Sequence, residues 1–255
     1  MSTNNANWSE GQQAGTCNEL TINGVSCKFR YAPAGTFTMG GTACDHGAHE
    51  VTLTKGFWIL ETPVTQALWR AVVGSNPSKF VGENLPVDSI MAVDADAFVA
   101  KLNELGVAPE GLKFALPTEA QWEYACRAGT TTEFSFGDVC DGTQANCDGN
   151  YAFGTNVPGP WLRKTTEVGS YPANAWGLTD MHGNVWEFCA DFYGFSSTEP
   201  QTDPTGPATG RRRVLRGGSW NDGPGSCRSA YRGSDACLRP YPYNGCRIVL
   251  LNPEA

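Results

Sequence analysis

The stretch Leu116-Pro117-Thr118-Glu119-Ala120-Gln121-Trp122-Glu123-Tyr124-Ala125 divides the chain into two kinds of sequence. Thr118 and Gln121 have the spacing of a capping box. The threonine oxygen can take the N–H of Gln121, and the glutamine amide can reach back to the N–H of Thr118. A helix carrying Trp122, Tyr124 and Ala125 is expected to start there. Beyond Gly129, regular helix is scarce. Gly, Pro, Asn and aromatic residues punctuate the rest, so that half must be held by side-chain packing, short strands or a bound ion.

Ahead of the box the patterns are regular. Leu20 to Val25 and Cys27-Lys28-Phe29-Arg30-Tyr31 alternate as a hairpin turning at Asn23-Gly24. Thr36-Phe37-Thr38-Met39 reads as a strand entering the turn Gly40-Gly41, and Val51–Thr54 and Phe57–Leu60 as a further strand pair. Thr65 can cap a helix with Ala67, Leu68 and Val72. Asp94 can cap another with Phe98, Leu102 and Leu105 on one face. The polar residues 1–16 are expected to form a flexible N-terminus. No linker or repeat interrupts the remainder, so residues 17–255 are expected to be a single domain.

Bulk composition closes off several functions. The 255 residues carry a net charge of −8, and the sole basic cluster, Arg211-Arg212-Arg213, abuts an apolar pair and flanks a strand. Nucleic acid is therefore not an expected partner. No run of 18 apolar residues exists to make a transmembrane segment. The ten cysteines show neither C-x-x-C nor Cys/His zinc spacing. A disulfide at Cys17–Cys27 or Cys140–Cys147 is expected, with buried free thiols as the alternative. The cysteine content favours a cell-surface or extracellular setting over a cytoplasmic one, and a lipid anchor on a leader lost ahead of Met1 is compatible with it.

Two further stretches join the capping box. Ala145-Asn146-Cys147-Asp148-Gly149-Asn150-Tyr151 is followed by the run from Thr166 to Leu178. Asp180-Met181-His182-Gly183-Asn184-Val185-Trp186-Glu187-Phe188 is followed by Arg216-Gly217-Gly218-Ser219-Trp220. In this order the three resemble the formylglycine-generating enzyme, or sulfatase-modifying factor, family over roughly Arg30 to Leu250. The resemblance implies an α+β, C-type-lectin-like fold with few helices, a small mixed sheet and much irregular chain. It also implies a Ca²⁺ site at Asp180, Gly183, Val185 and Glu187, a set of hard oxygen donors around a glycine turn. His182 is expected to hydrogen-bond within that turn.

The family's oxidase activity does not carry over. It requires two cysteines five residues apart that bind copper and exchange with a substrate thiol. Aligned on the pattern Arg228-Ser229-Ala230-Tyr231-Arg232, those positions hold Pro224 and Ser229. Neither copper nor enzymatic activity is therefore expected. The histidine cluster H-x-x-x-E-x-H of the family's iron-binding, carbon–sulfur-forming branch is also missing.

The segment Asn221 to Cys246 reads NDGPGSCRSAYRGSDACLRPYPYNGC and contains no Lys, Glu, Gln, Met or Trp. Those are the five residue types that no codon ending in a pyrimidine encodes. Randomising the adenines of AAC codons leaves this signature. The segment is similar to the variable proteins of diversity-generating retroelements, in which frame residues persist while others change. The frame expected here is Cys227, Arg228, Ser229, Ala230, Arg232, Arg239, Gly245 and Arg247, with arginine forks tying loops to backbone and carboxylates.

The expected ligand-binding positions within segment 221–246 are Asn221, Asp222, Gly223, Pro224, Gly225, Ser226, Tyr231, Gly233, Ser234, Asp235, Ala236, Leu238, Pro240, Tyr241, Pro242, Tyr243 and Asn244. Cys237 is expected to vary as well, with Cys246 as a further candidate for variation, though neither is among the expected ligand-binding positions. Tyrosines give large contact area at low entropy cost, and short polar residues give adaptable hydrogen bonds. The expected function is non-enzymatic binding of a variable macromolecular ligand, a protein. A copper-dependent oxidase and a non-catalytic structural relative are the alternatives.

Overall fold

The computed structural model describes residues 7–9, 11–41, 47–194, 198–236 and 239–252. Its centre is a five-stranded antiparallel sheet in the order β1-β2-β5-β12-β6. These are β1 (Cys17–Ile22), β2 (Val25–Ala32), β5 (Phe57–Leu60), β6 (Lys113–Ala115) and β12 (Val249–Leu251). All four residues of β5 are buried, the mark of a central strand covered on both faces. Trp58 and Leu60 enter one core with Phe29, Ile248 and Leu250. Phe57, Ile59 and Val249 enter the other. The two-residue period of the strand thus feeds two cores from one sheet.

The first core is roofed by α1 (Gln66–Val73) and α2 (Ala92–Glu104), where Trp69 stacks on Phe98 at 4.8 Å. The second is closed by α3 (Glu119–Arg127) and by β3 (Gly35–Met39), β4 (His49–Leu53) and β8 (Gln201–Thr202). Those three strands form their own sheet, with β4–β8 parallel. A four-stranded sheet has the order β10-β9-β7-β11. It contains β7 (Trp186–Phe192), β9 (Arg213–Arg216), β10 (Gly233–Asp235) and β11 (Asn244–Cys246). As expected, helices are few and the strands mixed in direction: the described residues build three sheets, two of them mixed.

Local chemistry explains most element starts. Asn23 (φ 46) and Gly24 (φ 85) make the two-residue turn of the expected β1–β2 hairpin. Thr65 Oγ1 accepts from Leu68 N–H, and Thr118 and Gln121 exchange side-chain-to-backbone bonds at 3.1 and 2.9 Å. The second helix starts earlier than expected. Its N-cap is Met91, and Asp94 serves from inside the first turn by accepting the Met91 N–H at 2.8 Å. Leu105 falls at the C-cap and is exposed, while Phe98 and Leu102 are buried.

The stretch expected to be loose is tied down where it is described. The Trp8 ring meets Trp58 at 4.9 Å and Phe29 at 5.9 Å, and Gly11 N–H donates to the Tyr31 hydroxyl. The β1–β2 register sets Cys17 opposite Arg30 and Cys27 opposite Leu20, so the Cys17–Cys27 disulfide does not form. Cys140 and Cys147 do approach, Sγ to Sγ 3.9 Å, but as separate thiols. Among the described residues every cysteine is free, and all but Cys17 are buried.

Thr118→Ala removes one half of the capping box and should lower unfolding free energy by about 1 kcal/mol, read from the urea midpoint at unchanged m-value.

Candidate functional site

The segment from β9 to β12 crosses the molecule twice, and buried arginines fix each crossing. Arg216, wholly buried, pairs with Glu123 and lies 3.6 Å from Glu119. It also donates to the carbonyls of Ser229 and Tyr231. Arg232 forks onto both oxygens of Glu119 at 2.6 and 2.7 Å and lies over the Tyr193 ring. Arg228 donates to Gly225 O and to Glu133. Arg247 is the most fully used. It donates to Glu187, to the carbonyls of Leu60 and Glu61, and to Thr179 O, all at 2.7–3.1 Å. Trp122 Nε1 donates to the same Glu187 carboxylate at 2.6 Å.

Small residues make these crossings fit. Gly218 takes φ 71, and a Cβ there would stand 2.5 Å from the Cys227 sulfur. A Cβ on Gly245 would meet Val87 O at 2.6 Å. Cys227, Arg228, Ser229, Ala230, Arg232, Gly245 and Arg247 are all buried, as a frame requires. Arg239 is the exception. It is exposed, stacked on Tyr241 with its Nε donating to the Tyr241 hydroxyl at 3.0 Å, so it holds no core contact.

Most of the positions expected to vary collect on one outer surface. Asn221, Asp222, Ser226, Tyr231, Gly233, Ser234, Asp235, Ala236, Tyr241, Tyr243 and Asn244 line a cleft of about 470 Å³. Trp186, Arg212 and Leu215 complete it from outside the segment. Sequence reasoning did not assign these three. Trp186 had a signal, because it sits in the Asp180–Phe188 motif one residue from Glu187. Arg212 and Leu215 became readable only once β9 was placed beside β10.

Some expected positions lie elsewhere. Gly223 abuts Tyr151 and Gly225 faces Phe153, away from the cleft. Pro224 is buried because it opens a 3-10 turn, Pro224–Cys227. Pro240 and Pro242 flank the tyrosines, and the Pro242 carbonyl accepts from Trp220 Nε1. Asn244 and Cys246 are buried because β11 pairs in parallel with β7. Leu238 and Cys237 lie outside the described residues.

The aromatic groups and charges of the cleft are ordered. Tyr241 and Tyr243 stack at 5.1 Å, and Tyr231 tilts against Trp186 at 6.1 Å. Asp222 accepts from Trp186 Nε1 at 2.9 Å and from the Ser219 hydroxyl. Burial holds its carboxyl above the usual range. Asp235 accepts from Asn244 Nδ2 at 2.7 Å.

The buried thiols hold their protons. Burial pushes Cys126 up to about 12. At Cys227 the Cys147 hydrogen bond lowers the thiol, but burial and the Asp222 charge outweigh it and the net shift is upward. Counted back five residues from Cys227 itself, the partner position is Asp222, again not a thiol. His182 lies beneath Cys227. Its Nδ1 is 2.7 Å from Cys227 O, its Nε2 is 3.1 Å from Ser135 N, and burial lowers its pKa to about 4. The ring is a neutral spacer reaching beyond its own turn.

In the turn expected to hold calcium the two carboxylates differ. Asp180 Oδ1 is buried without a hydrogen-bond partner, while its Oδ2 accepts from Gly169 N–H at 2.6 Å. Glu187, by contrast, gives its charge to Arg247. Asp180 thus keeps one oxygen without a hydrogen bond, while both Glu187 oxygens are engaged by Arg247 and Trp122. A separate cleft of about 520 Å³ lies beside Glu119, Asp191 and Arg232. Burial pushes the Asp191 carboxyl up to about 7, against the hydrogen bond it accepts from Glu119 N–H.

Among the described residues, three sheets, three α-helices and long irregular stretches pinned by arginine forks make a C-type-lectin-like fold. The family model described as "Sulfatase-modifying factor enzyme 1-like domain" matches residues 28–251, and the chain belongs to that family. It is similar to the formylglycine-generating enzyme of Streptomyces coelicolor, 34% identical over 164 residues, covering 62% of this chain and 49% of that enzyme. It is also 43% identical over 122 residues to the serine/threonine-protein kinase pkn1 of Chlamydia caviae, covering 46% of this chain and 18% of the kinase. The chain thus spans half or less of the length of these relatives. Treponema denticola variable protein 1 superposes with a TM-score of 0.82 at 26% identity, over 93% of this chain and 99% of that one. PvdO from Pseudomonas aeruginosa shares the fold at a TM-score of 0.75 and 24% identity, over 94% and 99%.

Two outcomes test this geometry. Glu187→Gln leaves Arg247 buried without its counter-charge and should cost about 3–5 kcal/mol. Tyr241→Ala on the outer surface should cost no more than about 1 kcal/mol. Chemical denaturation compares the two. Asp191, with its folded pKa raised, contributes stability below about pH 4 that is lost as pH rises toward 7. Asp191→Asn removes that loss, so its stability relative to wild type should climb across this window by at most about 1.4 kcal/mol per pH unit.

Proposed function

We propose that this chain is a non-enzymatic ligand-binding protein, its segment 221–246 diversified by a retroelement and its outer surface recognising a protein. One observation carries the reading. The segment that lacks the five residue types without pyrimidine-ending codons also divides by burial, Arg239, Pro224, Asn244 and Cys246 aside, into a held frame and an outer cleft. Random substitution is survivable only where side chains leave the core undisturbed. The likeness to Treponema denticola variable protein 1 supports the same reading. A cell-surface or extracellular setting belongs to this proposal, because multiple displayed copies would add avidity to a modest single-site affinity. Among the described residues no helix is long and apolar enough to cross a membrane.

The absence of oxidase activity is part of the proposal, supported by the buried, proton-retaining thiols and by Asp222, Pro224 and Ser229 at the candidate partner positions. Calcium is proposed as a structural ion held by Asp180 and the carbonyls of Gly183 and Val185. It would supply charge for a carboxylate oxygen that is otherwise buried alone.

The gene gives the most direct test. Downstream DNA should contain a near-copy of codons 221–246 with AAC at the cleft positions, beside a reverse transcriptase gene; a locus lacking both ends the retroelement reading. Incubated with copper, oxygen and a cysteine-containing peptide, the protein should form no aldehyde, and turnover abolished by Cys227→Ala would make it an oxidase. Added Ca²⁺ should raise the melting temperature, reversibly with chelator, and Asp180→Ala should remove the response; a melting curve indifferent to calcium would dismiss the ion.

A further inference from the structure

We infer that Gly233 determines the cleft's specificity by placing Trp186, so that a change inside segment 221–246 moves a binding residue outside it; this rests on the ligand-binding reading above. Strand register puts the two residues on one face of the four-stranded sheet. Gly233 pairs with Leu215, Leu215 pairs with Phe188, and Trp186 lies two residues before Phe188 on the same strand. The Trp186 indole reaches from β7 across to β10. A Cβ on Gly233 would stand 2.9 and 3.0 Å from its Cζ3 and Cη2 atoms, and 3.3 Å from Leu215 Cβ. Non-bonded carbons rest about 3.5–4.0 Å apart, so the indole lies where it does only because position 233 has no side chain.

If a side chain is added at 233, the indole is the part that yields. The backbone of β10 is held in register against β9, whereas Cζ3 and Cη2 are the outer end of a side chain. On the sheet side the ring packs in one core with Phe188 and Leu215. On the other side is the cleft, which Trp186, Asp222, Tyr231 and Gly233 all line. A displaced ring therefore rises into the cleft. It draws its Nε1 away from Asp222 Oδ2, now 2.9 Å distant, and shifts against Tyr231, whose ring tilts on it at 6.1 Å. Two cleft shapes follow. Glycine gives an open cleft floored by an indole that is 7% exposed. Any larger residue gives a shallower cleft with the indole raised and its N–H released. Position 233 thus acts as a depth stop, and positions 222, 231 and 233 are coupled through one fixed tryptophan.

The indole N–H resonance of Trp186, assigned in a nitrogen–proton correlation spectrum by its loss in Trp186→Phe, reports the ring directly. Gly233→Ala, confirmed folded by its melting curve, should shift that resonance and speed its exchange with deuterated water about tenfold. An unmoved, equally protected resonance overturns the placement of Trp186 by Gly233. Binding is read with a random peptide library displayed on phage and panned against the immobilised full chain, with Tyr231→Ala/Tyr243→Ala as the control surface. Peptides enriched on wild type over the control should bind Gly233→Ala about tenfold more weakly. Peptides selected on Trp186→Phe, which lacks both crowded carbons, should bind Trp186→Phe/Gly233→Ala within about twofold. Equal binding by wild type and Gly233→Ala, or the same loss in the Trp186→Phe background, overturns the specificity role and leaves the ligand-binding reading standing. No enrichment over the control overturns both.

Discussion

Burying a guanidinium is tolerable only when its charge and its N–H groups are answered. Arg247, with no exposed surface, meets Glu187 and three backbone carbonyls drawn from β5, from the residue after it and from the turn at Thr179. Removing one partner leaves a stranded charge, so the arrangement is maintained as a unit. Because Arg247 follows β11 directly and precedes β12, this one side chain fixes where segment 221–246 ends relative to the central sheet. Arg216 does the same at the start, answered by Glu123 and by the carbonyls of Ser229 and Tyr231.

With both ends and the middle anchored, the intervening residues are relieved of holding the fold. The segment has little regular structure, three-residue strands and one 3-10 turn. Its backbone position is set by Arg228 and Arg232 and by glycines that permit close approach. Side chains pointing outward can then change without altering the path beneath them. That separation suits the proposed binding surface. The segment's described thiols, Cys227 and Cys246, are buried and hold their protons.

Local signals made much of the fold legible in sequence. The Asn23-Gly24 hairpin, the Thr118–Gln121 box and the wholly apolar strand Phe57–Leu60 each carry their own geometry in a few neighbouring residues. The Asp94 helix began three residues early because a side chain can cap from inside the first turn as well as from the N-cap. The cysteine pairing failed for a different reason. Sequence separation between Cys17 and Cys27 says nothing about register, and the hairpin register sets each opposite another residue. At the site, composition and frame spacing found the segment and most of its outer residues. They could not sort Pro224, Asn244 and Arg239, whose burial depends on a turn, a parallel strand and a surface stack formed at a distance. Trp186 joins the cleft because β7 lies between β9 and β11, a topological fact that no local pattern states.

Under the proposed function, residues 221–246 consist of a fixed frame and a freely changeable surface. The direct measurement is to saturate every position of the segment, display the library, and select for protease resistance alone, with no ligand present. Substitutions at Asn221, Ser226, Tyr231, Ser234, Asp235 and Tyr241 should survive broadly, whereas those at Arg228, Ser229, Arg232, Gly245 and Arg247 should be depleted almost entirely. Comparable tolerance across the two sets, or depletion concentrated at the tyrosines, would contradict it.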